Sequence, residues 1–316
     1  MSRQVRQARL DDTQAISSLF RSQISVWQRM DEQGQVEDLP YQALTIYERW
    51  LHGGAWMTLE TGAIWLSHLL RGAGVPLIVE TDGAVRAYAE VYRGEEPEPF
   101  GDHLHLAHLL VDPDQKGAGL DDLFMEQLPS KAQELGCARL TVSCSSFDAD
   151  AVQFYRRHKL KPRARYRRYS VRARTGQGFY KAVEHFDGDP AQIEAWSQLI
   201  GRTESSRLHW ESLMPRHWEA VPEITARKTH RLHLTASGQE AFVICQQQLY
   251  APRNADIYCW SLGPLTGQLL TAIRDWAHQE GYRTLMMTVA EDDAPALGPD
   301  AEAEPYHQEF HALDVQ

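Results

Sequence analysis

Cysteine is scarce in this 316-residue chain, which has only Cys137, Cys144, Cys245 and Cys259. None stands at the close spacing of a zinc site or a disulfide framework, so the expectation is small buried thiols in a reducing compartment. Long apolar runs are missing too. The most apolar stretch, 63–70, is interrupted by Ser67 and His68 and falls well short of the ~20 apolar residues of a bilayer-spanning helix. The opening MSRQVRQARLDD is charged and lacks an apolar signal-peptide core, so the expected location is the cytoplasm, with no membrane partner. A basic excess is the third absence. The chain has 32 Lys+Arg against 43 Asp+Glu, a net charge of -11, which weighs against nucleic acid as a partner. What is present is an ordinary globular composition, 43% hydrophobic and 24% charged, at a length that suits about two domains.

The negative charge is unevenly placed. Residues 1–155 hold an acidic excess, 156–174 hold ten basic residues and no acidic one, and the chain from Gly176 is acidic again. Arg163, Arg165 and Arg167 alternate, so a strand there carries one basic face. The expectation is that this stripe either docks against the acidic second half or closes a charge network with the first.

Periodicity and breakers supply the element order. A strand over 5–9 leads to a helix over about 13–30, and two more helices follow near 39–51 and 60–70. Asp82-Gly83 marks a tight hairpin between strands near 77–79 and 85–91. A strand over 103–111 (HLHLAHLLV) runs into DPDQKGAG, and a helix over 120–135 should be kinked or split by Pro129. Then come a strand at 139–144, a short helix at 148–158 and an extended segment at 161–172. Residues 176–190, with Gly176, Gly178, Gly188 and Pro190, read as the boundary between domains 1–175 and 176–316. Beyond it, a helix is expected over 191–200, strands near 231–235, 241–247 and 256–261, a helix over 266–280 and a strand over 284–289. ELGCARLTVS and EGYRTLMMTV share a pattern that hints at an internal duplication.

A glycine-rich turn between strand and helix aims backbone N–H groups and the positive helix end at one spot, which favours phosphate. Here VDPDQKGAGL is followed by AVQFYRRHKL at 151–160. The pair, with this element order, resembles the two signatures of the GNAT superfamily of acetyl-CoA-dependent N-acetyltransferases, over roughly residues 3–172. The resemblance implies an α/β fold with a mixed (α+β) sheet, the GNAT acyl-CoA N-acyltransferase fold. It implies two GNAT-like domains, 1–175 binding acetyl-CoA and 176–316 degenerate, since Pro264 removes an N–H from SLGPLTGQ at the corresponding junction.

Carried over by position, Gly117, Ala118, Gly119 and Leu120 would offer N–H groups to the coenzyme pyrophosphate, with Lys116 adding charge. The backbone of Leu109, Leu110 and Val111 would pair with the pantetheine arm as an extra strand. Asp148, Ala151, Phe154 and Tyr155 would complete the coenzyme contacts. Tyr155 would be the acid that protonates the leaving thiolate; the alternatives are a coenzyme contact without proton transfer, or a core residue. His105 is the candidate base, against a satisfied strand histidine. His103 and His105 share a strand face, but no third ligand has metal spacing, so no metal is expected.

Three positions depart from the family: Asp114 for Arg or Gln, Asp148 for Asn, and Lys159 for Gly. Trp27, Trp50, Trp56 and Trp65 either line an acceptor pocket or pack the core. Acidic Glu95, Glu96, Glu98 and Asp102 either steer a cationic amine or form a solvated loop. The resulting expectation is transfer of acetyl to a primary amine of a small molecule or peptide, with a homodimer as one assembly open to it. The alternative is a non-catalytic coenzyme-binding or interaction module of the same fold.

Overall fold

A computed structural model describes residues 3–31, 34–224 and 227–315. They fall into two compact units. The first comprises Met1–Arg93, Leu104–Leu135 and Arg216–Ala226, and the second Gly94–His103, Gly136–Pro215 and Arg227–Gln316.

In the first unit, β1 (Arg3–Gln7) leads to α1 (Thr13–Arg21), shorter than the periodicity suggested. After Ser22 the chain forms β2 (Gln28–Met30) paired with β3 (Val36–Asp38). Ser25 and β-branched Ile24 and Val26 favour leaving the helix. The expected 39–51 helix shrinks to α2 (Ile46–Trp50), started by a capping box in which Thr45 and Glu48 exchange hydrogen bonds. α3 (Leu59–His68) follows, capped by Thr58. The hairpin of β4 (Val75–Thr81) and β5 (Ala84–Glu95) turns through Asp82 and Gly83, both at positive φ. β6 (Asp102–Val111) completes the order β1-β4-β5-β6. α4 (Leu120–Glu134) runs through Pro129 as one fifteen-residue helix. The proline removes a single N–H there but does not split the helix, which stays anchored by buried Leu120, Phe124 and Leu128. Each such apolar side chain contributes roughly 1.5–3 kcal/mol when buried.

In the second unit, β7 (Arg139–Ser145), α5 (Ala149–Arg157) and β8 (Lys161–Arg172) match the expected elements. β9 (Tyr180–Glu184) occupies part of the stretch read as a boundary, pairing with β11. The expected 191–200 helix is instead a single 3-10 turn ended by Ala195 at φ 61, followed by β10 (Ser197–Ile200). α6 (Ser206–Leu213), β11 (Thr229–Ala236), β12 (Gln239–Gln247), β13 (Asn254–Ser261), α7 (Gly267–Gln279), β14 (Thr284–Ala290) and β15 (Glu302–Asp314) follow. The strand order is β7-β15-β8-β14-β13-β12-β11-β9, with β10 on β13. Thus β15 is hydrogen-bonded between β7 and β8. Leu232, Val243, Ile257, Leu269, Ile273 and Leu285 form the core between α7 and the sheet.

The basic stripe does meet acidic groups of the second half. Arg165 lies opposite Glu309 in the ladder and bonds it at 2.7 Å. Arg163 reaches Asp314 at 2.8 Å and Arg168 reaches Asp256 at 3.0 Å. Arg167 donates to the Glu304 carbonyl at 2.8 Å. These pairs are half-exposed, so each contributes about 0–1 kcal/mol, and their combined effect is on strand register.

Candidate functional site

The strand-to-helix junction of the first unit is built by local rules. Asp112 accepts the Asp114 N–H at 3.1 Å and the Arg86 guanidinium at 2.7 Å, which fixes the turn as β6 ends. The Gln115 N–H returns to Asp112 O at 2.8 Å, and the Ala118 N–H donates to Gln115 O at 3.0 Å. The Ala118 N–H is thus used within the turn. Gly117 (φ 81) and Gly119 (φ 73) are both left-handed, a conformation open to glycine at little cost. A Cβ at Gly117 would meet no atom within 4 Å, so backbone conformation rather than crowding requires glycine there.

Gly119 is the N-cap of α4 with no side-chain cap. Helix geometry leaves the first N–H groups, those of Leu120 and Asp121 included, without intrahelical acceptors. Together with Gly117 and Gly119 they form a nest suited to an anion. The charge environment is mixed: Lys116 favours an anion, whereas Asp114, Asp121 and Asp122 oppose it. Leu109, Leu110 and Val111 are half-buried, and Val111 O accepts from Gln23 at 3.2 Å. His105 is 1% exposed, as deep as neighbouring Leu104 and Leu106.

The first unit also holds a cluster that the sequence reading passed over. Glu90, fully buried, accepts four hydrogen bonds. Trp56 Nε1 donates at 3.1 Å and Tyr88 OH at 2.5 Å to Oε2, while Trp65 Nε1 at 3.2 Å and Tyr92 OH donate to Oε1. That fills the roughly four acceptor positions of a carboxylate. Burial, and secondarily the Glu90 charge, pushes the Tyr88 hydroxyl well above the ordinary tyrosine range. The signal was the alternation Tyr88-x-Glu90-x-Tyr92, which places all three on one strand face. Trp56 and Trp65 are thus core residues. Trp50 instead packs edge-on against Trp218 at 4.5 Å, and Trp27 against Tyr41 at 5.0 Å and His52 at 4.8 Å.

In the second unit, Asp148 caps α5 by accepting the Ala151 N–H at 2.9 Å, a task for which Asp and Asn are equivalent. Ala151 and Tyr155 follow on the same helix face. Phe154 packs against Tyr155 at 5.4 Å and His158 at 4.9 Å. The Tyr155 hydroxyl is pushed above its ordinary range by burial, and further by Cys144, Glu204 and Asp148. Glu204, another residue the sequence reading did not single out, accepts from Ser143 Oγ at 2.7 Å. Lys159 sits at φ 65, where its N–H and that of Leu160 close α5 on Arg156 O and Tyr155 O. The departure from glycine is therefore real strain, about 1 kcal/mol.

β13 and β14 pair in parallel only at Asn254–Asp256 with Thr284–Met286. Beyond that point β10 pairs with β13 at Ser261, Trp260 and Cys259, and the Gly201 N–H donates to Thr288 O of β14 at 2.7 Å. The chain thus fills the wedge between the two strands. Gly201 is at φ 86, and a Cβ there would stand 2.7 Å from Ile257 O and 2.5 Å from Tyr258. Pro264 O is engaged by Gln239 at 2.9 Å.

All four cysteines are buried and none is in a disulfide; burial raises Cys144 to about 11. Among the described residues, no group of three or more His, Cys, Asp or Glu side chains is arranged to hold a metal ion. Nor is any helix long and apolar enough to cross a membrane.

Residues 35–159 match the model of the Acetyltransferase (GNAT) family. No curated protein matches the sequence. Among solved structures, the chain is similar to a GCN5-related N-acetyltransferase from Anabaena variabilis. That match has 9% identity and a TM-score of 0.66, and covers 100% of this chain and 73% of that one. It is also similar to a probable N-acyltransferase of unknown function from Enterococcus faecalis, at 13% identity and a TM-score of 0.60, covering 100% and 73%. A third is a putative acetyltransferase from Pyrococcus horikoshii, at 12% identity and a TM-score of 0.53, covering 99% and 90%. At these identities the likeness is one of fold.

Proposed function

We propose, for a chain whose residues 35–159 carry a GNAT acetyltransferase domain, that it is an acyltransferase moving an acetyl group from acetyl-CoA to a primary amine of a small molecule or peptide. The observation that carries the reading is the left-handed Gly117 and Gly119 turn opening α4. This cradle of N–H groups fits a pyrophosphate. Gly117, Gly119, Leu120 and Lys116 would hold the phosphates, and the backbone of Leu109, Leu110 and Val111 would align the pantetheine amides. Asp148, Ala151 and Phe154 would complete the coenzyme contacts, with Asp148 acting through its helix cap.

Acetyl-CoA supplies the thioester carbonyl and a thiolate leaving group. Tyr155, kept protonated by burial, would give its proton to that thiolate. Its raised pKa keeps the proton in place, though it also makes Tyr155 a weaker acid than a free phenol. His105 would take the amine proton through a chain of hydrogen bonds, since its ring is buried. In this reading the second half holds no coenzyme, because β10 occupies on β13 the place that a pantetheine arm would take as an extra strand. The buried cysteines, none of them in a disulfide, agree with a cytoplasmic location.

Asp114, Asp121 and Asp122 around the cradle favour one competing reading, a coenzyme-fold module without catalysis. Thermal shift with acetyl-CoA, followed by thiol release with a panel of amines, separates the two. A ligand bound only to the native state raises stability. Acetyl-CoA binding with no thiol release from any amine would establish the module instead. No binding of acetyl-CoA at all would overturn acetyl transfer and the coenzyme-binding module, and leave an interaction module of the same fold.

A further inference from the structure

Among the described residues β9 has one neighbour in the sheet, β11, and ends the strand order there. The His185 N–H donates to Arg231 O at 2.8 Å, one residue beyond the Glu184–Leu232 pair. Antiparallel ladders alternate, so Lys181 and Val183 turn their backbone groups toward β11. Tyr180, Ala182 and Glu184 turn theirs outward, where no strand of the described residues takes them up. Edges are commonly blunted by a proline, a bulge or a charge. β9 has no proline and no bulge in its register with β11, and its charges, Lys181 and Glu184, are of opposite sign.

Phe179, Lys181 and Val183 share one face. Phe179 is 101% exposed and Val183 48%, so apolar surface stands beside the open row of N–H and C=O groups. Such a row is matched by another strand, and a second copy of the chain supplies one. A two-fold axis beside an antiparallel strand sets one residue opposite itself. An axis at residue 181 opposes the two Lys181 side chains, and one at 184 the two Glu184, and like charges directly opposite are destabilising. An axis at 183 leaves Tyr180 without a partner inside β9.

An axis at Ala182 engages all three outward residues. Ala182 pairs with itself and Tyr180 with the partner's Glu184, in both directions, for about six backbone hydrogen bonds. On the exposed face Lys181 then lies opposite the partner's Val183, with its aliphatic stem over the apolar side chain. Phe179 comes within diagonal reach of the same valine. A buried aromatic ring removes ~150–250 Å² from water, so two Phe179 rings and two short edges stay below about 1,200 Å², the range of weak, reversible association.

We propose that a second copy of this chain docks on the outer edge of β9, antiparallel and centred on Ala182, so that the sheet continues across a two-fold axis. The inference needs no coenzyme and stands apart from the acetyl-transfer reading.

The test is sedimentation equilibrium of the full chain from low micromolar to near-millimolar concentration. The expected result is a reversible dimer with a dissociation constant on the order of 10–100 μM. Val183→Lys sets a lysine against the partner's Lys181 and should weaken the dimer about tenfold or more. Adding Lys181→Glu turns that contact into an opposite-charge pair and should return the constant to within a few-fold of the parent. Both side chains are exposed, so the urea midpoints of the two variants should stay near that of the parent. Three results would each overturn the proposal: a monomer throughout the range, an undiminished dimer in Val183→Lys, or a double variant as weak as the single one. Acetyl-CoA binding is read separately, so failure here leaves the acetyl-transfer reading untouched.

Discussion

Replacing Glu90 by Gln changes one atom of a buried side chain, yet the four-donor shell makes the cost calculable. Trp56 and Tyr88 donate to one carboxylate oxygen, and Trp65 and Tyr92 to the other. An amide keeps one acceptor oxygen and turns the other position into a donor. A tyrosine hydroxyl can rotate and accept from that N–H₂, but an indole N–H cannot accept. Whichever way the amide flips, one buried tryptophan N–H loses its acceptor, at about 1–3 kcal/mol. The bonds that survive also lose their charge reinforcement, roughly 1 kcal/mol in all. Relief from burying an uncompensated charge offsets part of this.

The expected loss is about 2–3 kcal/mol, measured by urea unfolding followed through tryptophan fluorescence. Glu90→Leu, which leaves all four donors without acceptors, should lose more. In native protein the Tyr88 hydroxyl should titrate lower in Glu90→Gln than in the parent, because one cause of its elevation is gone, though burial keeps it above the ordinary range. A Glu90→Gln protein within about 0.5 kcal/mol of the parent, which is ordinary for a surface change, would refute the argument that all four donors depend on the two Glu90 oxygens.

Other substitutions test other parts of the structure. Gly201→Ala forces a Cβ against the Ile257 carbonyl at positive φ and should cost roughly 3 kcal/mol from overpacking and backbone strain together, seen as a lower urea midpoint. Lys159→Gly removes left-handed strain and should raise stability by up to about 1 kcal/mol, reduced by the greater freedom of the unfolded chain. Tyr155→Phe should lower kcat by about a hundredfold or more while leaving acetyl-CoA affinity within a few-fold. Because burial raises the Tyr155 pKa and the protonated form is the active one, the parent kcat should show no descending limb from this group below about pH 10. A limb at lower pH that disappears in Tyr155→Phe would contradict the assignment.

Much of the chain was legible because it is governed by neighbours in sequence. The Asp82-Gly83 hairpin, the glycines that open α4, the short helix near 148–158 and the alternating arginines of β8 all depend on dihedral preference or period. A few residues fix each of these. Two of the errors share one cause. The apolar spacing of 13–30 and the composition of 191–200 suit a helix, but the first segment pairs part of its length with 36–38, and the second is drawn onto the edge of β13. Backbone hydrogen bonds to another strand, whether near in sequence or far, outweigh weak local propensity. For the same reason the sequence had no way to place β15 between β7 and β8, since that position satisfies two ladders from segments more than a hundred residues away.

What the sequence by itself determined is the glycine-rich turn that opens α4, because left-handed glycines at a helix start define that geometry within one loop. Tertiary structure alone decided which side chains share a buried environment. Glu90 with its four donors and Gly201 in the wedge between β13 and β14 each depend on contacts that form only once the chain has packed. Desolvation, which sets their energies, does not exist in the extended chain.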